Sequence, residues 1–317
     1  MRPDDWHLTE DVDDFLARAG DFLRSRPALH NTPLTVIEKL RTNGTAAHDA
    51  QAPVFGRLER GGEVCATFYR LPSRGLTVTP LTPEDADTLA AHLAALGHSL
   101  PYVSADHSTA TAFAEAWQQH TGATPTLSKR IRLYRLGTLT PPESLPEGRG
   151  RVVGEQDLEQ LVCWCGEFVD TVGETPAVDA GSWAGSRFAD RHFTFWETPD
   201  GIPVSMAAVT SMVAGMVRVD PVYTPAHLRG RGYAGAVTVE VSRAALAAGA
   251  TDVVLYADTA NPTSNALYQR IGYVPVTEWA AYDFPCAAPK VGGLTSVGGA
   301  STRPHPPTTA RRSRRPA

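Results

Sequence analysis

The chain has 317 residues, about twice the usual domain of ~150, which is room for two domains that each bury a core without covalent staples. Hydrophobic residues make up 42% and charged residues 20%, so it is neither a wholly disordered chain nor a long coiled coil. The balance of 29 basic against 34 acidic side chains, a net charge of −5, leaves no overall attraction for nucleic acid or an anionic membrane, and neither is expected as a partner.

Met1 to Phe15 carries acidic residues and no apolar run, so no signal peptide is expected. From Phe55 the sequence F-G-R-L-E-R-G-G-E-V-C-A-T-F-Y reads as two alternating strands around a Gly61-Gly62 turn. A strand at Gly75 to Thr79, an Ala-rich helix, an Ala105-Asp106 step, a short helix ending at Gly122 and a strand at Arg130 to Leu136 follow. Pro and Gly cluster between Thr140 and Gly148 and suit a linker. Beyond it the order repeats: two strands between Phe193 and Val209, a further strand, an Ala-rich helix, an Ala257-Asp258 step, a helix ending at Gly272 and a strand at Trp279 to Phe284. The apolar stretch Val204 to Val219 is broken by Ser205, Thr210, Ser211 and Gly215 and is too short to span a membrane. A hairpin turning near Gly215 is the expectation, in a cytoplasmic protein. Cys65, Cys163, Cys165 and Cys286 form no CxxC pair and have no spaced histidine partners, so no metal is expected.

Met216 to Thr224 has the β-branched and aromatic content of a strand. After it Arg229-Gly230-Arg231-Gly232-Tyr233-Ala234 opens a helix, the arrangement in which free backbone N–H groups and the helix dipole hold a pyrophosphate. The spacing is neither that of a Walker loop nor G-x-G-x-x-G, which argues against a nucleotide triphosphatase or a Rossmann enzyme. Asp252 to Asp258 reads as a strand, and Asn261 to Tyr273 as a capped short helix with a glycine stop.

The strand end Val222-Tyr223-Thr224, the R-x-x-G-x-A loop, Asn261 with Tyr268, and the Gly272-Tyr273 exit stand in the order found in the GNAT superfamily of acyl-CoA-dependent N-acetyltransferases, which residues 149 to 284 resemble. The resemblance implies an α/β fold of the α+β type, a twisted mixed sheet flanked by helices and splayed between its fourth and fifth strands for acetyl-CoA. It assigns Arg229, Gly230, Arg231, Gly232, Tyr233 and Ala234 to the pyrophosphate, Val222, Tyr223 and Thr224 to the pantetheine arm and acyl carbonyl, and Asn261 and Ser264 to the pantetheine side. Tyr268 matches the position that often donates a proton to the leaving sulfur.

For the base, the family often places Glu or His at the positions of Arg218 and Asp220. Arg218 cannot accept a proton at neutral pH. Asp220 can, unless it is simply a surface carboxylate paired with its neighbour Arg218, and Glu167 and Glu174 are rivals beside a water chain with no single base. In the first copy Pro80 to Asp87 has no glycine and three carboxylates, and Gln118 stands where Tyr268 would be.

The expected organisation is therefore a degenerate GNAT-like domain over residues 1–140, a catalytic one over 149–284, and a disordered Pro/Arg-rich tail over 285–317. The expected activity is transfer of an acetyl group to the amine of a small molecule through a tetrahedral intermediate. A protein N-acetyltransferase and a non-catalytic acyl-CoA sensor are the alternatives.

Overall fold

The computed structural model describes residues 6–43, 52–71, 75–173 and 188–285. They belong to one compact unit that ends at Cys286. The first copy runs β1 (Trp6–Thr9), α1 (Val12–Ser25), α2 (Asn31–Asn43), β2 (Val54–Arg60), β3 (Glu63–Leu71), β4 (Gly75–Val78), α3 (Pro83–Ala95), β5 (Tyr102–Asp106), α4 (His107–Thr121) and β6 (Thr126–Leu136). The second runs β7 (Arg149–Val152), α5 (Leu158–Thr171), β8 (Arg191–Glu197), β9 (Pro203–Thr210), β10 (Met216–Tyr223), α6 (Tyr233–Ala247), β11 (Asp252–Asp258), α7 (Pro262–Arg270) and β12 (Tyr273–Asp283).

The twelve strands among the described residues form one mixed sheet in the order β1-β2-β3-β4-β5-β12-β6-β11-β10-β9-β8-β7. The pairs β4–β5 and β10–β11 are parallel, and the others are antiparallel. The expected hairpins are present, β2–β3 around Gly61 and Gly62 and β9–β10 with Gly215 at φ +74°.

The two copies exchange their closing strands. β6, which ends the first copy, pairs with β11 of the second, while β12, which ends the second, pairs with β5 of the first. β6 and β12 then lie side by side from Tyr273↔Leu136 to Asp283↔Thr126. Both are longer than their apolar content suggests, because the ladder between them also recruits the exposed residues 126–130. Each antiparallel register adds backbone hydrogen bonds whatever the side chains are.

Helices cover both faces. On one, Phe15, Ala19 and Leu23 of α1 and Leu34, Ile37 and Leu40 of α2 pack on Phe55, Tyr69, Leu133, Met216 and Val254, so first-copy helices sit on second-copy strands. Leu161, Trp164 and Cys165 of α5 pack on Phe193, Phe195, Met206, Ala208 and Tyr223. Across the sheet, Ala236, Val237, Val239 and Val241 of α6 and Tyr268 of α7 meet Val217, Val219, Val253 and Leu255. Fully burying one such side chain contributes about 1.5–3 kcal/mol, so the mixed cluster under α1 and α2 holds the copies together.

Candidate active site

The site begins where the sheet divides. β10 and β11 pair only from Met216↔Asp252 to Val219↔Leu255. Beyond that point β10 stays with β9 through Val222↔Ala207 and Tyr223↔Met206, with a bulge between Val219 and Val222. β11 stays with β6 through Tyr256↔Leu133 and Asp258↔Ile131. The edges of Asp220 to Tyr223 and of Tyr256 to Asp258 therefore face each other without a ladder, and a parting sheet leaves backbone groups free for a ligand.

Arg229 to Gly232 lead from the end of β10 into α6. Gly230 and Gly232 adopt φ +79° and +82°, a left-handed conformation that only glycine enters without strain. Gly232 is the N-cap of α6, and no side chain caps the helix, so its first N–H groups and the positive end of its dipole are open. Arg229 and Arg231 are exposed beside it, with Arg229 Nε donating to the Thr224 carbonyl at 3.0 Å and Arg231 Nη2 to the His227 carbonyl at 3.3 Å. Thr224 is buried and its hydroxyl meets Ser205 Oγ at 2.8 Å, which fixes the strand end.

The corresponding helix of the first copy is closed. Thr82 Oγ1 accepts from the Asp85 N–H, Pro83 removes one donor, and Glu84 and Asp85 occupy the first turn. The Asp85 carboxylate is buried against Arg60. Negative charge and a filled cap disfavour an anionic ligand there.

On α7 the Asn261 side chain accepts from the Ser264 N–H at 3.0 Å, the cap that the sequence predicts. Tyr268 is 8% exposed and packs against the rings of Tyr134 and Tyr273 at 6.4 and 6.1 Å. Burial first, and then the Asp220 charge, push its hydroxyl up to about 12. The Asp220 charge is thus felt at Tyr268, whose hydroxyl has no hydrogen-bond partner among the described residues.

Asp220 pairs with Arg191 of β8 at 3.5 Å and not with its strand neighbour Arg218. Arg218 instead donates to Asn31 Oδ1 at 3.0 Å. Glu167 lies on the opposite face from Tyr268, accepting from the Tyr223 hydroxyl at 2.6 Å. Burial and that carboxylate push the Tyr223 hydroxyl up to about 12. Glu167, Trp164, Tyr223, His227 and Leu228 line a cavity of about 550 Å³ next to the glycine loop. Glu174 lies outside the described residues.

Three contributors escape sequence reasoning. Buried Asn265 donates to the carbonyls of Asp258 and Asn261, both at 2.7 Å, and accepts from the Tyr134 hydroxyl at 2.7 Å, which ties α7 to first-copy strand β6. Its spacing of four from Asn261 is the one signal that the sequence holds for it. Tyr134 and Asn31 come from distant segments that no local pattern links to the site. Among the described residues no three His, Cys, Asp or Glu side chains converge as a metal site, and no helix is long and apolar enough to cross a membrane.

Residues 205–280 match the family model described as FR47-like protein. No curated protein matches the sequence. Among solved structures, a GCN5-related N-acetyltransferase from Sphaerobacter thermophilus is similar with a TM-score of 0.56 at 18% identity, over 89% of this chain and 96% of that one. A Drosophila protein gives 0.56 at 14% identity, over 89% and 99%. A tandem GNAT protein from the clavulanic acid biosynthesis pathway gives 0.52 at 12% identity, over 87% and 97%. Across both copies, the chain has the fold of these proteins.

Proposed function

We propose that the second copy is a GNAT-type acyltransferase that uses acetyl-CoA to acetylate the amine of a small molecule, and that the first copy binds no CoA. The carrying observation is the open N-terminus of α6 beside the gap between β10 and β11, with Tyr268 in reach of that gap. An uncapped helix start, two left-handed glycines and exposed arginines fit a pyrophosphate. When bound, acetyl-CoA supplies the acyl group as a thioester.

The N–H groups from Arg229 to Ala234 would hold the pyrophosphate. The free edge at Val222, Tyr223 and Thr224 would align the pantetheine and present a backbone N–H to the acyl oxygen as charge develops there. Asn261 and Ser264 stand at the other side of the gap. Asp220, with Glu167 and Glu174 as the other candidates, would take the proton of the amine.

Tyr268 keeps its proton throughout the neutral range. A hydroxyl pushed to about 12 is a weaker acid than a thiol near 8.5, so Tyr268 serves the departing sulfur best as a hydrogen-bond donor. First-copy helix α2 lies over the face of β10 and β11, which narrows the approach and supports a small acceptor over an extended peptide.

Titration calorimetry with acetyl-CoA tests the reading. One site per chain, with CoA release once an amine is added, is expected. Two sites would overturn the assignment of the first copy, and none would overturn the cofactor.

A further inference from the structure

Arg218 stands just before β10 leaves β11, since its pair with Val254 is the last but one before the sheet divides. It is half-buried, beneath α2. The first side chain to meet it is Asn31, fully buried at the start of that helix. The orientation of the Asn31 amide is set by its own bonds. Nδ2 donates to the Ala28 carbonyl at 2.8 Å and to the Tyr256 hydroxyl at 3.1 Å, so Oδ1 is the atom offered to Arg218 Nη1.

A neutral amide therefore holds the guanidinium without neutralising it. The guanidinium has five N–H donors, and Asn31 occupies one. Tyr69 and Tyr256 lie within its field, and burial keeps both phenols protonated, so neither supplies a counter-charge. Among the described residues no carboxylate comes within ion-pair distance of Arg218. Its neighbour Arg191 has Asp190 and Asp220, each at 3.5 Å, and Arg151 has Asp157 and Glu197. The half-buried guanidinium thus keeps donors to spare and has no paired carboxylate among the described residues.

We propose that Arg218, aimed by Asn31, recognises a carboxylate on the acceptor, so that the acceptors of this enzyme are amines that also carry a carboxylate, such as amino acids. The planar guanidinium matches a carboxylate through paired hydrogen bonds. Asp220 lies two residues further along the strand, roughly 7 Å away, a separation that one small amino acid bridges with its carboxylate at Arg218 and its amine toward Asp220. Asn31 is a positioning residue. The inference rests on the acetyltransferase reading and names its substrate class.

The test separates the two. Acetyl-CoA calorimetry on the full chain settles the cofactor without any acceptor, and its failure would sink the acetyltransferase reading alone. The acceptor site is then probed by thermal shift and by CoA release, with glycine, β-alanine, L-phenylalanine and L-glutamate each set against its carboxamide. Wild type is expected to prefer the carboxylate member of at least one pair by about tenfold or more. Arg218→Met should erase that preference through the acceptor KM while acetyl-CoA affinity holds. Asn31→Asp sets a carboxylate against Arg218 but loses the donor to the Ala28 carbonyl, so it should also erase the preference, at some cost in melting temperature. Arg218→Lys, which keeps the charge and loses the fork, should restore part of it. Equal handling of carboxylates and carboxamides by wild type, no response to any probe, or a preference that survives Arg218→Met overturns the proposal.

Discussion

Two tyrosines at the opening of the sheet tie stability to chemistry. Tyr268 and Tyr223 both have hydroxyls raised to about 12, from about 10 in an unfolded chain. Because the folded value is the higher one, the stability they contribute is fully present below pH ~10 and is lost as pH rises toward 12. The loss is roughly 3 kcal/mol for each when complete, so alkaline unfolding should begin above pH ~10. Tyr268→Phe and Tyr223→Phe should each flatten that limb when melting temperature is followed against pH. In turnover the two variants should part. Tyr268→Phe, which removes that hydrogen-bond donor, is expected to lower kcat by about 10²–10³ with acetyl-CoA affinity unchanged, read by steady-state kinetics beside calorimetry. Unchanged kcat would remove Tyr268 from the reaction. The place of Tyr268 on a short helix ahead of Gly272 was legible because that spacing is a local feature. Arg191, the actual partner of Asp220, was not, since a cross-strand ion pair depends on register and bulge. The sequence offered Arg218 as the adjacent partner, yet side chains that share a face of β10 need not meet each other when β8 and α2 bring competing groups.

At the scale of elements, α3 and α6 hold equivalent places in the two copies and differ in how they begin. Gly232→Val would force a side chain into a left-handed position and crowd the open N-terminus. We expect at least a tenfold loss of acetyl-CoA affinity with a fold cost of about 1–3 kcal/mol, measured by calorimetry and thermal melting. Thr82→Ala removes the cap of α3 and should cost about 1 kcal/mol with no effect on the cofactor. These helix starts were readable from sequence because capping and glycine chemistry act over three or four residues. So were the hairpins at Gly61-Gly62 and Gly215. Helices α1 and α2 were not, although α1 carries its own cap in Asp11, which accepts from the N–H groups of Asp13 and Asp14. The acidic start of the chain draws attention to charge, and the apolar stripe of Phe15, Ala19 and Leu23 gains its meaning only from the strands beneath it.

For the whole molecule, the repeat was visible in the order of elements, but the exchange of closing strands was not. Both copies end in a strand of similar composition, and nothing in either says which β-edge it will complete. Residues 1–140 expressed alone would leave β5 beside a missing β12, and residues 141–285 would leave β11 beside a missing β6. We expect each piece alone to be insoluble or molten by circular dichroism and hydrogen exchange, and the two co-expressed pieces to copurify. A stable, cooperatively melting single piece would contradict this.

That exchange also bears on how such a chain can change over generations. A duplicated domain whose spare copy loses its chemistry can usually be trimmed away. Here each copy holds the other's last strand, so deletion of either is expected to cost the fold of both. The shared ladder thus makes the two halves one inheritance unit, with β6 and β12 each completing the edge of the other copy.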